Sequence, residues 1–356
     1  MPLARRVFTN LLFAVWLVVL WKVIGLTAGG VWALRDTWGA YRTPVEAAFT
    51  IDEIRGPGEG CLLGIFAPEV PADVRVLDAI ESRVRRRFVL ISLYQAWGDG
   101  PGQQFDPRRL NAIIARGAIP VLTWEPWVTD FARTGLAPMP ERQFHNLRAI
   151  ADGAYDFYIE RWARAARRWG QPLMIRLGHE MNASWYPWGE QAFGNRSEDY
   201  VAMWRHVVGV FRRVGAHNVV WVWSPAQRPL GDLYPGDEYV DWTGVTILNF
   251  GTVPPGYGWR PFHEMFAPYY DALRRHDKPI MVAEVASAEQ GGDKGRWITE
   301  AMGSLQREFP KVKAFVWFDV VQDRYWPINW SLTSSEAASR AFRKAAEDPF
   351  FVAPPR

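Results

Sequence analysis

Two glutamates stand at the ends of apolar runs: Glu180 in Gly178-His179-Glu180-Met181-Asn182, and Glu284 in Ala283-Glu284-Val285-Ala286-Ser287. A carboxyl pair suits cleavage of a glycosidic bond. One carboxyl must be protonated to donate to the departing oxygen, and the other ionised to attack or assist at the anomeric carbon. Neighbours of different polarity set two such pKa values apart. Taken singly, either glutamate also reads as a structural carboxylate bonded to loop amides or arginines. Other apolar runs end in aromatics, amides and acids: Trp124-Glu125-Pro126-Trp127, Trp221-Val222-Trp223-Ser224-Pro225, Asn249-Phe250-Gly251 and Trp317-Phe318-Asp319. The pair His179-Glu180 could open a zinc-protease motif, but that motif needs a second His four residues on, where Ala183 stands. No metal site and no cofactor are expected, because two carboxylates suffice for the chemistry.

Something must bring these run ends together. From Cys61 onward, short apolar or β-branched runs alternate with stretches of helical periodicity. The strand candidates are Leu62–Pro68, Phe88–Gln95, Ile119–Trp124, Leu173–Gly178, Val219–Ser224, Gly244–Asn249, Ile280–Val285 and Ala314–Asp319. Helical stretches between them include Asp106–Arg116, Gly153–Trp169, Ser197–Val214, Phe262–His276 and Gly295–Phe309. Runs apolar throughout, such as Val219-Val220-Trp221-Val222-Trp223, suit a parallel sheet buried on both faces. This repetition predicts an α/β fold, a (β/α)8 TIM barrel, for which about 250 residues is typical. A doubly wound open sheet would favour a glycine-rich phosphate loop after an early strand, and none is present. In a barrel the active site forms at the carboxyl ends of the strands. The fourth and seventh ends, carrying Glu180 and Glu284, would face each other across the mouth.

The segment Arg176-Leu177-Gly178-His179-Glu180-Met181-Asn182-Ala183-Ser184-Trp185-Tyr186-Pro187-Trp188 resembles glycoside hydrolase family 26, the family of many β-mannanases. Lys278-Pro279-Ile280-Met281-Val282-Ala283-Glu284, Trp221-Val222-Trp223-Ser224-Pro225 and Trp317-Phe318 are similar to further signatures of that family, and the likeness runs from about Gly64 to Trp330. The resemblance implies a retaining β-glycanase acting by double displacement, with Glu180 as acid/base, Glu284 as nucleophile and His179 as a polar neighbour. It places Trp185 and Trp188 near the sugar cleft and makes Trp317 a platform beneath the cleaved sugar. Trp223 and Asn249, at the fifth and sixth strand ends, join the expected substrate-binding set, with Glu125 bonding a sugar hydroxyl or orienting a neighbour. The sequence departs from the family at Leu248, where a tyrosine that bonds the nucleophile is usual, and at Ala226 and Ala183. Those departures widen the expected substrate from β-mannan to β-1,3-1,4-glucan or another β-linked polymer. A transglycosylase on the same substrates and an inert carbohydrate-binding barrel are the alternatives.

Of the remaining candidates, Tyr94, Trp97, Tyr257, His263, Asp319 and Asp323 could face the cleft, while His206, His217 and His276 read as structural or surface residues. The 356 residues include 20 Trp, well above ordinary usage, some suited to sugar stacking and some to filling a core. A net charge of +3 with no basic motif excludes nucleic acid as an expected partner. Cys61 is the single cysteine, so no intramolecular disulfide forms. Arg5 and Arg6 precede the apolar stretch Leu11 to Trp21, which resumes from Val23 to Leu26. That pattern reads as an export signal or membrane anchor. Residues 1–33 are expected to be that signal or anchor, 34–60 a linker and 61–356 the catalytic barrel. Location is then periplasmic or secreted, with membrane association through the amino-terminal segment as one expectation.

Overall fold

A computed structural model describes residues 46–353, apart from residues 71, 133, 134, 140, 227 and 231. The expected signal or anchor lies outside the described residues. No helix among the described residues is long and apolar enough to cross a membrane.

Eight parallel strands close on themselves: β1 (Cys61–Phe66), β2 (Leu90–Ala96), β3 (Ile119–Glu125), β4 (Leu173–Leu177), β5 (Val219–Trp223), β6 (Trp242–Asn249), β7 (Ile280–Ser287) and β8 (Val312–Phe318). Each pairs with its neighbours in order, and β1 pairs in parallel with both β2 and β8. A short β9 (Phe351–Val352) adds to the start of β1, below the point where pairing with β2 begins. Outside the barrel lie α2 (Arg75–Val84), α3 (Pro107–Ile114), α4 (Asn146–Ala151), α5 (Asp156–Trp169), α6 (Ser197–Val214), α7 (Phe262–Leu273), α8 (Lys294–Glu308) and α9 (Glu336–Ala345). The expected alternation fails once: β5 reaches β6 with no helix among the described residues between them.

Strand alternation decides which residues reach the mouth. Leu62, Leu90, Val121, Met174, Val222, Met281 and Val316 fill the barrel interior. Side chains of one parity therefore point inward, and those of the other face the helices. On β4 the inward parity of Met174 continues to Arg176, and on β3 that of Val121 continues to Thr123 and Glu125. The outward parity takes Trp124 against Trp162 of α5, at 4.9 Å between ring centroids. It also takes Trp221 against Phe211 of α6, at 5.1 Å. Much of the tryptophan excess is thus core, with ten tryptophans fully buried.

The stretch expected to be a linker contains α1 (Ile51–Arg55), whose start is fixed by a reciprocal Thr50–Glu53 capping box. Ile54 is buried among Leu62, Val89, Ile119 and Trp242, at the amino-terminal end of the barrel. The Trp242 Nε1–H donates to the Ile54 carbonyl at 2.7 Å. Residues 51–55 therefore pack as part of the barrel floor.

Candidate active site

Glu284 reaches the mouth through an irregularity in β7. Met281 and Ala283 face the interior, so strict alternation would send Glu284 outward. The register instead steps from Val245↔Val282 to Thr246↔Glu284, and also breaks against β8 between Val282 and Val285. A bulge of this kind re-aims a side chain. Glu180 is placed differently. It follows the end of β4 in a turn, with Gly178 at φ 47° and Glu180 itself at φ 55°. Its N–H donates to the Ser224 carbonyl at 2.7 Å, which fixes the turn on the end of β5.

The two carboxyls meet. One oxygen of Glu180, one of Glu284 and a ring nitrogen of His179 all lie within 4.8 Å of one another, and all three residues are buried. Glu180 accepts from Thr246 Oγ1 at 2.7 Å on one oxygen and from Trp185 Nε1 at 2.8 Å on the other. Burial and the Glu284 carboxylate push its pKa above the usual carboxylate range, against the pull of Thr246, Arg176 and Trp185. Glu284 accepts from Arg176 Nη2 at 2.5 Å on Oε1. The same guanidinium donates to Tyr94 Oη on β2 and to Thr123 Oγ1 on β3, at 2.8 Å and 3.0 Å. Arg176 thus brings a buried positive charge to one carboxyl of the pair. Burial, with Arg176 adding to it, holds the His179 ring well below the ordinary histidine pKa, so the imidazole is neutral. Three acidic or imidazole groups this close could also hold a cation, but Arg176 already supplies positive charge there and both Glu180 oxygens are engaged by donors.

Glu125, at the end of β3, accepts from Trp127 Nε1 at 3.1 Å. Burial above all pushes its pKa up to about 7, with Glu284 and Glu180 adding to the effect. Tyr186 is raised as well, by burial and then by the charges of Glu180, Glu284 and Glu125. The mouth therefore concentrates carboxyls that resist ionisation around one arginine.

Other expected contacts are displaced. Trp185 is 59% exposed at the mouth, with its ring open to a ligand. Trp188, Trp223 and Trp317 are fully buried and cannot stack on a sugar. Trp223 and Trp317 carry the outward parity of their strands, and their N–H groups donate to the carbonyls of Leu233 and Trp330. Trp188 lies flat against Tyr186, at 4.5 Å and 9° between planes, and donates to the His179 carbonyl. Asn249 is also outward: it donates to Ser287 Oγ and accepts from the Gly251 and Arg260 amides, so it shapes the loop after β6. Trp97 is buried, Asp319 is buried against Ser331 and Leu332, and His263 pairs with Glu308 on α8. Asp323 pins the loop that exposes Tyr325. Tyr257 is 62% exposed beside the cleft. His206 pairs with Asp156, and His276 stacks on Tyr234.

Sequence reasoning passed over Arg176 and Thr246. A readable signal existed for the first: a lone arginine inside the apolar strand Leu173-Met174-Ile175-Arg176-Leu177 on the inward parity. Thr246 offers none, because its partner Glu180 comes from the distant turn after β4.

Residues 146–260 match the family model for glycosyl hydrolase family 26. Endoglucanase H of Acetivibrio thermocellus is 38% identical over 244 residues, covering 66% of this chain and 25% of that protein. A β-1,3-xylanase of a Vibrio species is 28% identical over 142 residues, covering 38% of this chain and 28% of the xylanase. The chain thus spans about a quarter of the length of these two curated relatives. Among solved structures, a β-mannanase from Bacteroides ovatus superposes with a TM-score of 0.64 at 17% identity, covering 88% of this chain and 96% of that one, a likeness of fold. The matched segment carries Glu180, and over residues 146–260 the chain is similar to glycosyl hydrolase family 26.

Proposed function

We propose that the protein is a retaining endo-β-glycanase in which Glu284 is the nucleophile and Glu180 the acid/base. The observation that carries this reading is the approach of Glu180 and Glu284, oxygens within 4.8 Å, in unlike surroundings. Retaining enzymes place their carboxyl groups about 5–5.5 Å apart, whereas inverting ones leave room for a water between them. Glu180, disposed to hold its proton, donates it to the departing oxygen. Glu284, anchored by Arg176, attacks the anomeric carbon and forms a glycosyl ester. Glu180, now ionised, takes a proton from water, whose oxygen attacks the same carbon and frees Glu284. Trp185 offers the leaving sugar an aromatic face.

Endo-action on a β-linked polysaccharide is carried over from the names of the relatives, an endoglucanase and a β-1,3-xylanase. Those names differ in polymer, so β-mannan and β-1,3-1,4-glucan both stand as candidates. The basic and then apolar start of the chain supports action outside the cytoplasm. The test is product release from glucomannan, galactomannan, mixed-linkage glucan and xylan, with the anomer of the first product read by NMR. One polymer is expected to yield oligosaccharides of retained configuration, and Glu284→Ala to release none. Inverted product, or release undiminished in the variant, sinks the reading.

A further inference from the structure

Opposite the mouth, where β7 and β8 begin, an open cavity of about 350 Å³ lies against the end of α1. Four cationic side chains border it: Arg55 on α1, Lys278 just before β7, Lys311 just before β8 and Lys313 within it. Pro57, Pro279 and Pro310 give it carbon walls. Its positive charge is not used up. Asp277, the acid that borders the cavity, is engaged by Lys311 at 2.9 Å. Lys278 donates to the Asp237 main-chain carbonyl, which carries no charge. Asp241 stands 3.6 Å from the buried Nε of Arg55, which has no hydrogen-bond partner among the described residues. The Lys313 ammonium has neither a hydrogen bond nor an ion pair among the described residues.

The charge extends over the whole end of the barrel. Arg85, Arg87, Arg213 and Arg275 are exposed there, at or just past the carboxyl ends of helices, and none is in an ion pair among the described residues. A cation at a helix carboxyl end is ordinary. In a barrel those ends all fall on one face, so the charges add. The described residues also begin at this end: the Ala47 N–H donates to Gln171 Oε1 just before β4, and Phe49 packs on the floor core. Upstream, the sequence is basic at Arg5 and Arg6 and then apolar from Leu11 to Leu26 but for Lys22. We propose that this face docks on an anionic bilayer and that the cavity seats a phosphate headgroup. The guanidinium and ammonium groups meet the phosphate, while the prolines and lysine stems meet the lipid carbon beside it. Charge spread across a face matches a plane of phosphates rather than one free anion. The mouth then points away from the lipid, whichever polymer it takes.

The experiment mixes the full chain with vesicles of phosphatidylcholine, alone or with about one third phosphatidylglycerol, at low salt. Partition is read by sedimentation, and the rate at which an acylating reagent reaches Lys278 and Lys313 is read by mass spectrometry. Partition is expected to favour the anionic vesicles by at least about tenfold, with both lysines shielded on those vesicles alone. Lys278→Ala combined with Lys313→Ala should weaken the anionic partition by about 25-fold, at about fivefold for each basic group near such a surface. An unchanged melting temperature would show that the variant's fold is intact, and the shielding in the unaltered chain needs no variant. Inorganic phosphate should displace no more protein than chloride at matched ionic strength. Equal partition, or lysines acylated equally fast on both vesicles, overturns the proposal. So does specific displacement by phosphate, which would make the cavity a site for a small anion. The hydrolase reading stands or falls separately, on product release.

Discussion

At the scale of single residues, the site is an exercise in keeping two identical side chains unlike. Glu180 and Glu284 share chemistry, so their surroundings must separate them. Arg176 sits on one; burial and the neighbouring charge act on the other. The Thr246 hydroxyl stabilises the ionised form of Glu180 by donating to it. Thr246→Val should therefore raise the Glu180 pKa further. On the proposed role of Glu180 as acid, which must be protonated, activity is lost as pH rises through that pKa, and the alkaline limb of kcat/KM should move to higher pH in the variant. A limb that stays put or moves down removes Thr246 from this role. The glutamates drew notice in the sequence because each follows an apolar run, although Glu284 lies inside β7 rather than at its end. Three of the four tryptophans expected at the cleft, Trp188, Trp223 and Trp317, are instead buried. Burial of Trp223 and Trp317 follows from being odd-numbered neighbours of the inward-facing Val222 and Val316, a parity that the bare motif does not display.

Elements position these groups through the same period of two, broken once. Tyr94, Thr123 and Arg176 all lie on regular strands, and their parity alone delivers them to the mouth. Arg176 then links β4 to β2, β3 and β7 at once. Replacing it with methionine leaves the buried Glu284 carboxyl without its partner. That is expected to destabilise the fold by about 3–5 kcal/mol, measurable by urea unfolding. A loss well under 1 kcal/mol would show that water reaches Glu284 freely. All eight strands and several helices were readable from periodicity, with Ser197–Val214 matched to the residue. The bulge in β7 was not, since register is a property of two neighbouring strands and leaves no mark on one. The floor helix at Ile51–Arg55 was hidden by its shortness and by the Gly and Pro that follow it.

Across the whole molecule, chemistry and support occupy opposite ends of the barrel. Ile54 plugs the amino-terminal end, far along the strands from Glu180. Ile54→Ala should cost about 2–5 kcal/mol in unfolding free energy, with kcat/KM on the polymer unchanged below the melting range. A matching fall in kcat/KM would mean that the floor shapes the mouth. The mouth carries a stress of its own in the φ of 55° at Glu180, a left-handed backbone that a side chain with a Cβ resists by about 1–2 kcal/mol. Glycine adopts that geometry freely. Glu180→Gly should thus melt at a higher temperature than Glu180→Ala, although both lack the carboxyl; equal melting temperatures would mean that the turn relaxes. If Glu180 is the acid proposed above, the barrel gives up some thermal stability to present it. A search for heat-tolerant variants that screens on folding alone should then drift toward glycine at position 180, selecting sturdier barrels that lack the proposed acid.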